Sequence, residues 1–514
     1  MQPLKKKGGD SRIGLYVTGN NNVYTKEKRD ETDYAKKIIG LILTSGTLLV
    51  GIVSPVIAEN GRESDAGSRF ENYLEHHSNH VFGGIKRPLQ QSAADLVFTG
   101  PGDQAVVAAE GLRVELISGG MIAPADMMVL LPNAEYPTHA IACVENFNGM
   151  PGQPSVQRVN LATGTVEVVL RGMRACDPVK HTPWGTVLVA EESGADGRAY
   201  EILDPMNTIE ANVIDRATGM TDSPSVAQRP ALGSRSWEGI VVLPDGTVYM
   251  GDELRPSSGT PGGTIYKFVP TTPWIPGALP VSDLSQSPLV SGEVYALRLG
   301  ARSGGTDYGQ GSELGLGKWI LTDGTRADAA AKKATGYYRP EDMELDPIAW
   351  ANGVVRTCWT NTGRDESMNY GKVVCLIDEA TSDPAHAAGT RPNVQLFVAG
   401  TPELAMPDNL VFQPGTGIAY ILEDGVNEEP YRDDVWACLP DGDDRDTLSD
   451  GCIRVLSWRD PQSEPTGMVF TEDGKTAYIH VMHRDQTGRQ NPMGYPEGTD
   501  DLIKVTGFKP QLVK

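Results

Sequence analysis

The sequence predicts an all-β fold, a six-bladed β-propeller with irregular insertions and short helices. Three observations carry that prediction: short apolar runs joined by tight turns, the recurrence of those hairpins along the chain, and an abundance of turn residues. Of 514 residues, 58 are Gly and 36 are Pro. Such a share suits many short strands closed by turns rather than long helices.

The clearest hairpin is Ile240-Val-Val-Leu-Pro-Asp-Gly-Thr-Val-Tyr-Met-Gly-Asp252. Related passages run from Trp184 to Glu192, from Leu410 to Asp424 and from Met468 to Val481. Pro-Asp-Gly and Glu-Asp-Gly suit hairpin turns because Gly accepts positive φ and Asp tolerates it. Apolar runs of this shortness fit strands better than helices. Aligned on their turns, the hairpins lie roughly 55–65 residues apart, with one wider gap able to hold a further unit. Repetition at that period points to propeller blades, each a small sheet buried by its neighbours. A sandwich is the competing all-β arrangement. Residues 281–336 and 426–463 read as irregular insertions, and Arg326–Ala334 as a short helix.

Ahead of the propeller, residues 1–58 read as a signal peptide or an N-terminal membrane anchor. After Lys36 and Lys37 an apolar run extends from Ile38 to Ala58 and ends Val56-Ile57-Ala58. Small residues at the last and third-last positions suit a signal peptidase, and the run is also long enough to span a bilayer. Export follows on either reading, to the periplasm, the medium or the outer surface. Residues 59–95 are polar and rich in His and Asn, a linker with a short helical stretch near Phe70–His77. The propeller then occupies 96–514.

A net charge of −22 repels nucleic acid and anionic membranes, which excludes a nucleic-acid binder. No membrane contact is expected beyond the N-terminal segment, and the chain reads as a monomer. Excess carboxylates are mostly solvated surface, but some are suited to hard cations such as Ca²⁺. The acidic loop Pro440–Asp446 lacks EF-hand spacing and reads as surface.

An exported chain forms disulfides. Of the six cysteines, Cys438 and Cys452 bracket an acidic loop, and Cys358 and Cys375 bracket a hairpin. Those are the candidate bridges, although spacing leaves connectivity open. Cys176 reads either as a buried structural or disulfide cysteine or as a metal-binding thiolate.

There is no G-x-S-x-G elbow, H-E-x-x-H helix or phosphate-binding G-x-x-x-x-G-K-[ST] loop in the sequence. Of only eight His, three (His76, His77 and His80) fall in the linker, so a His-rich zinc site is not expected. What remains is a set of carboxylates at strand ends or turns: Glu191 and Glu192, Glu238, Asp252 and Glu253, Glu341, and Asp408. The inner strands of a closed propeller converge on its central channel. Carboxylates distant in sequence can therefore meet there, and several together require cations to stay ionised.

In sequence order, several segments resemble the PhoX-type alkaline phosphatases. They are Cys176-Asp-Pro-Val-Lys-His-Thr-Pro-Trp-Gly-Thr-Val-Leu-Val-Ala-Glu191-Glu192, Trp237-Glu238-Gly239, Tyr249-Met-Gly-Asp-Glu253 and Tyr338-Arg339-Pro-Glu341-Asp342. After them come Thr360-Asn361 with Tyr370-Gly371, Pro407-Asp408-Asn409-Leu410, and Glu464-Pro-Thr-Gly467 with His483. No one motif is specific; their order is. The resemblance implies a propeller carrying an Fe³⁺ and Ca²⁺ cluster held by carboxylates and a thiolate. Carried over residue by residue, it makes Cys176, Glu191, Glu238, Glu341 and Asp408 metal ligands, with Asp252 or Glu253 a further one. Arg339 becomes the phosphate-binding arginine. The chain departs from the family in lacking a twin arginine at its N-terminus and in placing Trp237 before the Glu-Gly turn.

The function so implied is an extracytoplasmic metal-dependent phosphatase acting on small phosphomonoesters. Two other readings stand beside it. A lactonase-type calcium-dependent hydrolase would give no role to Cys176 or Arg339. A non-catalytic, calcium-stabilised propeller would bind a partner through its faces.

Overall fold

In the computed structural model the described residues are 74, 77–96, 100–147, 152–257, 262–300, 313–364, 367–379, 386, 388–425, 433–442, 445–482 and 498–510. They belong to one unit, Ser64–Lys514; the N-terminal segment 1–58 lies outside them. The hairpin motif forms as its residues dictate. Trp237–Val242 pairs antiparallel with Val248–Asp252, and at the turn Asp245 Oδ1 accepts the Thr247 N–H at 2.9 Å. Apart from the partly buried Val242, the β-branched and aromatic side chains of both strands are buried, as β-propensity on a two-sided buried sheet requires.

Six such hairpins open six blades. Their inner strands are Ala125–Leu131, Cys176–His181, Trp237–Val242, Pro340–Leu345, Pro407–Phe412 and Glu464–Phe470, numbered here as blades 1 to 6. Each inner strand packs beside the next, and the sixth beside the first, which closes the ring. The strands form five hydrogen-bonded sheets, because blades 3 and 4 merge where Gly315–Thr322 pairs with Asn393–Ala399. Closure is made by hydrogen bonds: after the short strand Val106–Ala108, which pairs into blade 5, Arg113–Ile122 becomes the outer strand of blade 6 by pairing with Thr499–Thr506. An early strand and the last strand of the propeller thereby share one sheet, which removes the exposed edges of an open ring.

The all-β propeller expected from the sequence is the architecture found, and Arg326–Ala331 is the helix expected there, with Thr325 capping the Asp328 N–H. The described parts of 281–336 and 426–463 are not wholly irregular. They supply outer strands, Gly292–Leu299 and Gly315–Thr322 to blade 3, and Asp434–Cys438 and Cys452–Trp458 to blade 5. Their apolar runs are short and separated by long polar loops, so the repeat was masked. The stretch read as a linker is not simply a tether. Leu74, Phe82 and Ile85 are buried in the core between blades 5 and 6, and Leu89 bridges Arg454.

Disulfides join Cys358 to Cys375 within blade 4 and Cys438 to Cys452 within blade 5. A third, Cys143 to Cys176, links blade 1 to blade 2.

Candidate metal centre

Carboxylates gather at the end of the channel where the inner strands begin. The second residue of the inner strand is acidic in five successive blades: Asp126, Asp177, Glu238, Glu341 and Asp408. Blade 6 contributes Glu464, the first residue of its strand. A second set stands immediately after the partner strand of each hairpin: Glu145, Glu192, Glu253 and Asp424, with Thr362 at that place in blade 4. The equivalent in blade 6, His483, lies outside the described residues.

This repetition has a local cause. In every blade the hairpin carries a register shift near its start, after the first pair in blades 1 to 5 and after the third in blade 6: between Ala125 and Met128, Cys176 and Val179, Trp237 and Ile240, Pro340 and Met343, Pro407 and Leu410, and Thr466 and Val469. A bulge bends the strand and re-aims its side chains. Six of them at one level turn the strand ends toward the axis. The Trp-Glu-Gly motif serves the same convergence: a Cβ on Gly239 would stand 2.2 Å from the Met343 backbone nitrogen of blade 4. At Gly467 (φ +60°) a Cβ would stand 2.7 Å from the Asp126 carbonyl of blade 1.

Asp177, Glu192 and Glu238 bring carboxylate oxygens within 4.8 Å of one another. Asp126 Oδ1 and Asp177 Oδ1 are buried and have no hydrogen-bond partner. Burial first, and repulsion from Glu192 second, pushes Asp126 up to about 8. Burial, then the Glu253 charge, pushes Glu192 up to about 7. Burial takes Glu341 to about 8 although the Arg339 guanidinium pulls the other way. Burial also holds Glu145, Asp177, Glu238, Asp408 and Glu464 well above the usual carboxylate range. Positive charge at such a site would reverse that cost, so the group could hold a cation.

Arg339 is the cation at the mouth of the ring. Its Nε lies 3.0 Å from Glu253 Oε1 and 3.0 Å from Glu341 Oε1, and its Nη2 lies 3.5 Å from Asp424 Oδ2. Its backbone is left-handed, φ +53°. Thr362 Oγ1 donates to Glu341 Oε1 at 2.8 Å, and Asn409 Nδ2 donates to Asp408 Oδ2 at 3.0 Å. Further along the inner strands, Lys180 of blade 2 reaches across to Asp342 (3.7 Å) and Glu344 of blade 4.

Of the residues predicted from sequence, Glu238, Glu253, Glu341, Asp408 and Arg339 come together here. Three do not. Cys176 is bonded to Cys143; the next residue, Asp177, is the one in the ring. Glu191 is fully buried and pairs with Arg216 through Nε (2.7 Å) and Nη2 (2.6 Å), while accepting the N–H groups of Arg174 and Arg198. Its neighbour Glu192 faces the ring. Asp252 pairs with Arg326 and accepts the Ser236 N–H, leaving Glu253 at the ring. Each correction is a shift of one residue, and successive side chains along a strand point to opposite faces.

Asp126, Glu145, Asp177, Glu192, Asp424 and Glu464 were not among the predicted ligands. An acid at the second position of the inner strand is the signal that finds Asp126 and Asp177, and an acid just after the partner strand finds Glu145, Glu192 and Asp424, but both become readable only once the strand bounds are known.

Residues 179–485 match a protein family described as alkaline phosphatase PhoX. Among solved structures, Pseudomonas fluorescens PhoX in complex with vanadate, a transition state analogue, superposes with a TM-score of 0.53 at 18% identity. The match covers 81% of this chain and 97% of that one. The PQQ-bound aldose sugar dehydrogenase of Streptomyces coelicolor gives 0.39 at 10% identity over 78% and 99% of the two chains. The gluconolactonase XC5397 of Xanthomonas campestris gives 0.38 at 12% identity over 82% and 99%. No curated protein matches.

Proposed function

The chain belongs to the PhoX family of alkaline phosphatases, and on that premise we propose that the carboxylate ring is its active site, hydrolysing small phosphomonoesters outside the cytoplasm. The observation that carries this reading is the gathering of acids at one end of the channel, with Asp177, Glu192 and Glu238 in one group and Glu253, Glu341 and Asp424 beside the Arg339 guanidinium.

The donors suit the Ca²⁺ and Fe³⁺ expected of the family in so far as both accept carboxylate oxygen. Asp177, Glu192 and Glu238 would form one pole of the cation site, and Glu341, Asp408, Asp424 and Glu464 the other. When bound, such cations supply neutralisation of the phosphoryl charge and a water of lowered pKa.

What the chain itself contributes is binding and orientation. Arg339 now spends its donors on Glu253, Glu341 and Asp424. With those acids held by cations, the planar guanidinium would be available for a two-pronged contact with phosphate oxygens. Thr362 holds the Glu341 carboxylate in place, and Asn409 ties Asp408 to blade 6 by accepting the Gly467 N–H at 2.7 Å. Lys180 partly offsets the Asp342 and Glu344 charges within the channel.

Three disulfides suit an oxidising compartment, as does the apolar run Ile38–Ala58. Among the described residues no helix is long and apolar enough to cross a membrane.

The test is hydrolysis of p-nitrophenyl phosphate at alkaline pH by protein purified without chelator. Activity abolished by EDTA and restored by added metal is expected. A natively purified protein that binds no metal and cleaves no phosphomonoester would remove the reading.

A further inference from the structure

All six cysteines are paired, so the folded chain has no thiolate to offer a metal. We propose that the ring is a thiolate-free centre whose donors are carboxylate oxygens, selective for hard cations and calcium foremost, with Asp177 occupying the place that the sequence pattern assigns to Cys176. The proposal rests on the reading that the ring is the phosphatase site, and it narrows that reading to one class of metal.

The geometry that exchanges the two residues is plain. Cys176 and Glu191 are register partners on adjacent strands of blade 2, and both turn away from the axis, one into the bond with Cys143 and the other into Arg216. The next residue on each strand, Asp177 and Glu192, therefore turns toward the axis. There they meet Glu238 of blade 3.

Asp177 is 4% exposed and Asp126 8%, yet one oxygen of each has no protein partner. Other buried polar atoms of this protein also lack a partner, but these two are carboxylate oxygens of the ring itself, and buried polar groups are as a rule paired, so they point to a missing ligand. His480, the buried imidazole beside Asp126, spends Nδ1 on the Asp126 carbonyl at 2.6 Å. Calcium takes six to eight oxygens in flexible geometry, whereas sulfur ligands select softer ions. Any iron bound here would be held through oxygen. The centre should therefore lack a thiolate-to-metal absorption band. The Cys143–Cys176 bond would act on the rigidity of blades 1 and 2 instead of on the ligand set.

The experiment uses the full chain, stripped with EDTA without reductant and then dialysed against calcium chloride or ferric citrate. Metal per chain, visible absorption and free thiols after denaturation are measured. Expected are retained calcium, no visible thiolate-to-iron band after ferric loading, and no free thiol. Asp177→Asn should weaken calcium binding about tenfold or more, and Cys143→Ser/Cys176→Ser should leave it nearly unchanged. A visible band that disappears in Cys176→Ser would overturn the proposal while leaving the phosphatase site in place. A metal kept by Asp177→Asn but lost by Cys176→Ser would do the same. No metal bound by the unmodified chain would overturn both. The thiol count and absorption of the unmodified protein decide the matter even if the serine variants fail to fold.

Discussion

Arg339 Nε stands 3.0 Å from Glu341 Oε1, although only Pro340 separates the two residues in the chain. The left-handed backbone at Arg339, φ +53°, is what folds the guanidinium back over its own strand. For a residue other than glycine that conformation costs about 1 kcal/mol or more, and it persists where the surroundings enforce it. Here the enforcing groups are Glu253, Glu341 and Asp424. Arg339→Lys is expected to lower kcat/KM for p-nitrophenyl phosphate by about 10²-fold or more, since a point charge cannot replace the planar fork. Metal content should stay unchanged. A loss of only a few-fold, measured by steady-state kinetics, would assign phosphate binding elsewhere.

Glu191 and Glu192 should separate cleanly by experiment. Glu191→Ala leaves Arg216 with only its longer contacts to Asp196 and two backbone N–H groups without their partner, a loss of up to about 3–5 kcal/mol for a broken buried pair. Its calcium stoichiometry should hold once the protein is folded. Glu192→Gln should do the reverse, with little change in Tm and weaker calcium binding. Thermal denaturation and metal analysis of the two variants check the assignment.

Stability of the metal-free protein should fall as pH rises. Asp126 and Glu341, raised to about 8, and Glu192, raised to about 7, bind protons more tightly folded than unfolded. Their stabilising protonation is fully present below the unfolded values near 4 and is lost as pH climbs through 7 to 8. The EDTA-treated chain should therefore melt at a lower temperature at pH 8 than at pH 5. Excess calcium should raise Tm most at the alkaline end, with protons released on binding. A Tm of the stripped protein that rises across this window would contradict the buried acid ring.

Lys180→Met is expected to destabilise the fold. It strips Asp342 and Glu344 of the cation that spans blades 2 and 4. Leaving buried carboxylates unpaired costs about 3–5 kcal/mol, and the effect should shrink at acid pH as those carboxyls protonate. Denaturant titration at two pH values measures both parts.

Much of the fold was legible because strands and turns are local. Ile240–Asp252 announces a hairpin through its own β-branched residues and its Pro-Asp-Gly turn. The outer strands of blades 3 and 5 were not legible, since runs such as Val294–Leu297 gain their identity from the neighbour they pair with. Within the site, Glu238, Glu341 and Asp408 were identifiable from the motifs around them. The exchange of Cys176 for Asp177 and of Glu191 for Glu192 was not, because a motif names a stretch of strand but not which side of it faces the axis.

The sequence by itself determined the all-β class, the repeat of the hairpins, the family and a short set of acids with one arginine. Those depend on residue type and order, which need no partner to be read. Only the tertiary structure decided which acid of each adjacent pair enters the ring, that Cys176 is spent on Cys143, and that the ends of the propeller close in blade 6. The physical reason is the two-residue period of a strand interrupted by a bulge. One residue of shift exchanges the channel for the space between blades, and only the packed blades set that phase.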